Sequence, residues 1–349
     1  MKELDEKDVL RLSGLIDAAG SVAILTHVHP DGDALGSSLG MARFLTGLGR
    51  SVTVILPTPA PATLDFIPGD SDCPIIEADR DRAAAQKAIQ GADLVICQDF
   101  CRIDRAEGLE DFFRASAAPK VLIDHHQGPD RDSFDVVFSE TEISSASELV
   151  FWVLLALPQT GGDITRIPGG SLEALMTGMT TDTNNFANST FPSTMQMASM
   201  CIAAGVDRDA ILSNIYNRYR ENRFRLLGYV LSEKLKITPQ GVAYVVLSRA
   251  ELDRFDIREG ETEAFVNQPL GIGRVRMSFF LKEEDGVFRV SIRSKKGTSA
   301  SSCARQWFNG GGHENASGGK LVIGPEIPDA AAAERYIVEK TEKFFSDEK

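Results

Sequence analysis

Five continuously apolar runs limit most strongly what this chain can fold into. SVAIL (21–25), SVTVIL (51–56), ADLVIC (92–97), KVLID (120–124) and FDVVF (134–138) alternate with segments of helical pattern through the first half. A strand that is apolar on both faces belongs in a sheet with helices packed on both sides, which is the parallel sheet of α/β proteins. Ligands of such sheets sit at the C-terminal ends of the strands. From Ser171 to about Leu235 the pattern turns helical, and the polar stretch YNRYRENRFR in it marks an inter-domain connection. Beyond it GVAYVVLS (241–248) reads as a strand, and VRMSFFLKEEDGVFRVSIRSK (275–295) as a hairpin turning at Glu284-Asp285-Gly286. A closing helix follows in PDAAAAERYIVEKTEKFF. At 349 residues the chain is too long for one ordinary core. The expected organisation is a parallel-sheet α/β domain over residues 1–213, a helical linker over 214–236, and a smaller α/β domain over 237–349, with a cleft between the domains.

Charge narrows the function classes. A net charge of −13 excludes a generic polyanion-binding surface, so any attraction for nucleic acid or nucleotides has to be local, from metal ions or a focused arginine cluster. Cys73, Cys97, Cys101, Cys201 and Cys303 are odd in number and scattered. They make no disulfide framework and fit a reducing cytoplasm. Cys97 and Cys101 read as small hydrophobes rather than as metal ligands or a redox pair. MKELDEKDVLRL begins an acidic amphipathic helix and lacks the basic and apolar blocks of a signal peptide. The longest apolar run, LVFWVLLALP (149–158), is too short to span a bilayer and reads as a buried helix. The expectation is a cytoplasmic protein with no membrane partner.

The histidines carry the chemistry. There are five, His27, His29, His125, His126 and His313, and all fall in three short segments rich in Asp or Gly. Taken alone, any one of them defaults to a hydrogen-bonded structural role; random placement would scatter them. His27, Asp31 and Asp33 follow the SVAIL strand in THVHPDGDALGSS, Asp99 follows ADLVIC, and Asp124, His125 and His126 end VLIDHH. Asp182 closes the helical run ALMTGMTTDTNNF. In a parallel sheet those strand ends converge on one edge. Carboxylates and imidazoles crowded there repel one another unless cations sit between them. The set is too large for one zinc and suits two divalent ions. Mixed nitrogen and oxygen donors favour Mn2+, with Mg2+ or Co2+ as substitutes, over calcium. Two such metals are the usual device for in-line phosphoryl transfer.

These residues resemble the DHH phosphoesterase family, named for the triplet that stands here as Asp124-His125-His126. THVHPDGDALGSS is similar to the first family motif, which implies that His27, Asp31 and Asp33 are metal ligands. By the same resemblance Asp99 bridges both metals, His125 is a ligand, His126 faces the phosphate, Asp124 supports His125 from behind, and Asp182 is a ligand from the fourth motif. His29 matches no family role and is assigned to a local structural position at the rim. Asn184-Asn185 stands where many relatives carry glycine, in a loop that shapes the entrance. GGGHENASGGK (310–320) and VSIRSKKG (290–297) resemble the DHHA1 domain of RecJ-like exonucleases and small oligoribonucleases, which implies phosphate contacts from Arg293, Gly310, Gly311, Gly312 and His313. A GGGH alone is weak, and consecutive glycines serve a phosphate only by letting backbone N–H groups approach it.

The resemblance runs from about Val22 to Lys320 and points to the nano-RNases that also dephosphorylate 3′-phosphoadenosine 5′-phosphate. It implies a DHH domain joined to a DHHA1 domain, two bound metals, and catalysis that uses Asp99, Asp124 and His126. The expected partners are short RNA or DNA oligonucleotides or nucleotides. Homodimers occur in the family, and no segment here derives one. The alternatives are a hydrolase of linear or cyclic di-adenosine phosphates and a nucleotide-binding regulator without turnover. An inorganic pyrophosphatase would carry a different basic motif in place of GGGH. Arg274, Arg276, Arg289, Arg293, Lys295 and Lys296 along the hairpin are expected to include substrate-facing groups, and Trp307 and Phe308 to pack in a core rather than stack a base.

Overall fold

A computed structural model describes residues 4–69 and 73–347. The first three residues of the N-terminal helical pattern lie outside that range. The chain divides into two compact units, Met1–Arg218 and Tyr219–Lys349. The boundary falls inside the polar stretch YNRYRENRFR.

The first unit opens with α1 (Glu6–Ala18), capped by the Asp5 carboxylate, which accepts from the Lys7 N–H. Next come β1 (Ser21–Leu25), α2 (Gly32–Gly47), β2 (Ser51–Leu56), β3 (Ile75–Glu77), α3 (Arg82–Gly91) and β4 (Leu94–Gln98). The unit continues with α4 (Glu110–Ala115), β5 (Lys120–Asp124), β6 (Val136–Ser139), α5 (Ala146–Ala156), α6 (Gly169–Asp182), α7 (Pro192–Ala203) and α8 (Arg208–Tyr216). The six strands are parallel in the order β3-β2-β1-β4-β5-β6. β3 was not expected: three residues are too few to show a period.

Alternation along the strands explains the continuous apolar runs. Val22 and Ile24 of β1, Leu94 and Ile96 of β4, and Val121 and Ile123 of β5 join one core with α1, α2, α5 and α6. Their neighbours Ala23, Leu25, Val95, Cys97 and Leu122 join another with α3 and α4. Cys97 is fully buried, and burial pushes its thiol pKa up, as suits a small core hydrophobe. LVFWVLLALP forms most of α5, whose apolar residues are largely buried. Among the described residues no helix is long and apolar enough to cross a membrane.

Helices α2 and α6 approach backbone to backbone. A Cβ on Gly36 would lie 2.6 Å from the Ala174 carbonyl oxygen and 2.7 Å from the Gly178 Cα. The sheet order reverses between β1 and β4, which leaves a crevice at their C-terminal ends, where such sheets bind ligands.

The last expected helical segment, DAILSNIYNRYRENRFRLLGYVLSEKL (209–235), breaks at residues 217–220 before α9 (Glu221–Tyr229) and a π-helical turn, Val230–Lys234. Tertiary contacts override helix propensity there. Arg220 pairs with Glu261 and Asp256 at 2.7 and 2.8 Å, and the Arg223 guanidinium lies 4.0 Å from the Tyr219 ring centre and 4.6 Å from that of Phe265.

The second unit continues with β7 (Lys236–Ile237), β8 (Val242–Leu247), α10 (Arg249–Arg254), β9 (Met277–Glu284), β10 (Val287–Ser294), α11 (Ala300–Trp307), β11 (Gly311–Gly312), β12 (Ala316–Val322) and α12 (Ala330–Asp347). Its sheet runs β11-β12-β10-β9-β8-β7, with β8 and β9 parallel and the other pairs antiparallel. The expected hairpin is β9–β10. Asp285 and Gly286 turn it with φ of 29° and 82°, both in the positive region that two-residue hairpin turns of this type require. Phe308 is fully buried against Phe279 and Tyr336, so it belongs to the core.

Candidate metal centre

Beyond the ends of β1, β4 and β5 and at the end of α6, the sheet gathers the residues singled out by the sequence. His27 leaves β1 with its Nδ1 2.8 Å from the Val28 carbonyl oxygen. A carbonyl only accepts, so Nδ1 carries the proton and Nε2 keeps its lone pair for a ligand. Asp31 caps α2, its Oδ1 accepting from the N–H groups of Asp33 and Ala34 at 3.0 and 3.1 Å. Asp33 is buried in the first turn of α2. Its Oδ2 accepts from Ala146 N at 2.6 Å and its Oδ1 from Ser147 N at 2.9 Å.

Asp99 follows β4 in the left-handed region, φ 63°, with its N–H on the Ile123 carbonyl at 3.2 Å. Its Oδ2 lies 3.4 Å from His27 Nε2 and its Oδ1 3.4 Å from His125 Nε2. His125 Nε2 is also 3.9 Å from both Asp33 Oδ2 and Asp182 Oδ2. Asp124 was expected behind His125. The hydrogen bonds it shows run to His126, from the ring Nδ1 at 2.7 Å and the backbone N–H at 3.1 Å. Adjacent residues on an extended chain point opposite ways, so a strand-end carboxylate reaches two residues on more readily than one.

The donor set fits divalent cations. His27, Asp31 and Asp99 offer ligand atoms within 4.8 Å of one another, and so do Asp33, His125 and Asp182. Asp99 has one oxygen toward each group. Four carboxylates face two imidazoles, and hard oxygen with borderline nitrogen suits Mn2+ or Mg2+.

Without cations the imidazoles take up protons instead. Burial works to lower the His27 and His125 pKa values. The hydrogen bond and charge of Asp99, with Asp31 near His27 and Asp182 and Asp33 near His125, outweigh it and raise them to about 9 and about 10. Burial works to raise the Asp99 pKa, but those two imidazoles hold it well below the carboxylate range. Burial, then the Asp99 and Asp182 charges, push Asp33 up; burial, with Asp31 and Asp99, takes Asp182 to about 6.

The folded form binds imidazole protons that the unfolded form releases near pH 6.5, so their stabilisation is complete below that pH and is lost as pH rises through about 9 to 10. Melting temperature in EDTA should fall by about 5 °C or more between pH 7 and 9.5, and by less in His27→Asn. A flat profile would refute the charge assignment.

Other expected residues lie around the centre or in the second unit. His29 is exposed with φ 54°, its N–H donating to Thr58 Oγ1 at 2.6 Å. Asn184 and Asn185 occupy the left-handed region, which asparagine tolerates, and Asn185 Oδ1 accepts from Arg208 Nη2 at 2.7 Å. In the second unit Arg293 on β10 pairs in register with Ala316 on β12, so the Arg293 strand end and the His313 turn lie at one end of that sheet.

Several basic residues of the hairpin are tied down within the unit. Arg289 pairs with Glu284 at 2.8 Å, Arg276 lies 3.6 Å over the Phe345 ring, and Lys295 Nζ donates to Ile272 O at 3.0 Å. Packing requires glycine at 310, where a Cβ would lie 1.9 Å from the Gly318 carbonyl oxygen. At Gly311 a Cβ would meet only Arg305 Cγ, at 3.8 Å, so packing does not require glycine there.

Sequence reasoning missed Glu148 and the start of α5, which holds Asp33. The pattern Ser145-x-x-Glu148 is a capping-box signal that could have found them.

This fold and this cluster belong to one class of protein. The DHH family, N-terminal domain, matches residues 21–179 and the DHHA1 domain matches residues 240–340. The chain belongs to the DHH family of phosphoesterases, in its DHHA1-bearing form. It is 31% identical to the bifunctional oligoribonuclease and PAP phosphatase NrnA of Thermus thermophilus, over 86% of this chain and 84% of that one. It is 30% identical to the probable enzyme of the same name from Streptococcus mutans, over 87% and 90%. An exopolyphosphatase-related protein from Bacteroides fragilis is similar in structure, with TM-score 0.90, 36% identity, and coverage of 99% and 98%. The exonuclease RecJ bound to manganese shares the fold at TM-score 0.55 and 15% identity, over 98% and 96%.

Proposed function

We propose that this chain is a cytoplasmic two-metal phosphoesterase that releases mononucleotides from short oligoribonucleotides and converts 3′-phosphoadenosine 5′-phosphate to AMP. The observation that carries the reading is Asp99, set with one oxygen 3.4 Å from each of two imidazole nitrogens that belong to separate donor groups. His27, Asp31 and Asp99 would hold one cation and Asp33, Asp99, His125 and Asp182 the other, with Mn2+ preferred. Bound there, the cations supply a nucleophilic water and neutralise charge developing on the phosphoryl oxygens.

The chain's own residues do the rest. The Val28 carbonyl fixes the His27 tautomer. Asp124 fixes the His126 ring, whose side chain is 27% exposed and is the group we assign to the substrate phosphate. Arg293, His313 and the Gly310–Gly312 turn are assigned to the nucleotide end, and a few such donors suffice for a short anion on an acidic protein. The relatives named oligoribonuclease and PAP phosphatase support this substrate class.

The test is product release with Mn2+ from an RNA dinucleotide, a long RNA oligomer, 3′-phosphoadenosine 5′-phosphate, cyclic di-AMP, inorganic polyphosphate and pyrophosphate in parallel. The expected result is mononucleotide release from the dinucleotide at least about tenfold faster than from the long oligomer, a difference of roughly 1.4 kcal/mol, with phosphate released from the bisphosphate. Cyclic di-AMP or polyphosphate as the best substrate would replace the reading, and silence on all six with metal bound would end it.

A further inference from the structure

Glu148 is a fully buried acid with no cationic partner among its hydrogen bonds. Its Oε2 accepts from Ser144 N at 3.0 Å, Ser144 Oγ at 2.5 Å and Thr194 Oγ1 at 2.7 Å, and its Oε1 accepts from Trp152 Nε1 at 3.2 Å. All four partners donate, which suits a carboxylate, a group that only accepts. Burying an acid is costly, and a capping box at the surface would not bury it.

What it holds is the first turn of α5. A helix start leaves its leading N–H groups without intrahelical partners. In α5, Ser145 Oγ takes the Glu148 N–H at 3.0 Å, and the Asp33 carboxylate takes those of Ala146 and Ser147. Asp33 is therefore clamped through both oxygens by backbone 113 and 114 residues away. The position of that backbone depends on Ser144, which Glu148 ties to the first turn of α7 through Thr194.

We propose that Glu148 is a positioning residue for the metal centre: by tying Ser144 to Thr194 it sets where the α5 N–H groups hold Asp33. It touches neither substrate nor reacting atoms. The inference rests on the reading of Asp33 as a metal ligand. Partners hydrogen-bonded directly to metal ligands typically change metal affinity about 10- to 100-fold, and Glu148 acts through the α5 turn that is such a partner of Asp33.

The test is a competition titration of metal-stripped protein with Mn2+ alone at neutral pH. Glu148→Ala should bind Mn2+ about 10- to 100-fold more weakly than wild type. Glu148→Gln, which can keep its carbonyl oxygen toward Ser144 and Thr194, should recover most of the affinity. Leu12→Ala, a core truncation in α1, lowers the melting temperature without touching this network and should bind Mn2+ like wild type. If Glu148→Ala does not fold, Thr194→Val, which removes one donor and keeps the acid, should lose affinity several-fold. Wild-type affinity in Glu148→Ala, or in Thr194→Val in its place, overturns the proposal, as does Glu148→Gln no better than alanine. A wild-type chain that takes up no Mn2+ would instead fail the reading of the centre on which the proposal stands.

Discussion

Alanine in place of Asp99 should lower kcat/KM on a dinucleotide by about 10³-fold or more, roughly 4 kcal/mol of transition-state stabilisation. The size follows from position. Each Asp99 oxygen faces a different imidazole nitrogen at 3.4 Å, so one truncation removes a donor from both proposed cation sites. It also removes the charge that offsets burial of His27 and His125. Alanine adds a second, smaller effect, because φ is 63° here and a left-handed alanine costs about 1–2 kcal/mol. Asp99→Asn separates the two: asparagine accepts that backbone but brings no charge, so its activity should fall nearly as far while the backbone part of the stability loss is spared. Unchanged turnover in both Asp99→Ala and His125→Ala would sink the two-metal assignment.

A large stability loss is expected at Gly36→Ala on the α2–α6 seam. The new methyl would lie 2.6, 2.7 and 2.8 Å from Ala174 O, Gly178 Cα and Gly178 N, all of them backbone atoms that no rotamer change can move. Overpacking of this kind costs about 2–3 kcal/mol, or roughly 5–10 °C in melting temperature for a unit of this size. α2 carries Asp33 and α6 ends at Asp182, so forcing the helices apart also spreads the Asp33–His125–Asp182 donors and weakens Mn2+ binding. Gly14→Ala in α1 is the control: its Cβ meets nothing within 4 Å, and helix propensity should make it neutral or stabilising by about 0.5–1 kcal/mol. A Gly36→Ala protein that melts with wild type would mean the seam is looser than its backbone distances say.

The parts of this protein that are legible in its sequence are those in which one short segment carries the whole signal. The apolar strands announce a covered parallel sheet, and residues 27, 31 and 33 sit close enough in sequence to be recognised at one strand end. Long-range partners leave no such trace. Nothing near Asp33 says that its carboxylate will seat on Ala146 and Ser147, and nothing near Arg289 or Arg276 says that Glu284 and Phe345 will occupy them. The helix break at residues 217–220 is hidden for the same reason, since Arg220 is a good helix former drawn off by Glu261 and Asp256. β3 escaped notice through brevity alone.

The reversal of strand order between β1 and β4 has a consequence for synthesis. Strand β1 leaves the ribosome early, but its neighbour β4 emerges some seventy residues later, and Asp182 later still. A nascent chain that displays His27, Asp31 and Asp33 therefore has only part of the proposed chelate, and contacts of such long sequence separation form slowly. Capture of the metal should come after the sheet closes, so the choice among competing cations is made by a finished, rigid cage rather than by a loose peptide that would favour whichever ion binds nitrogen and carboxylate most avidly.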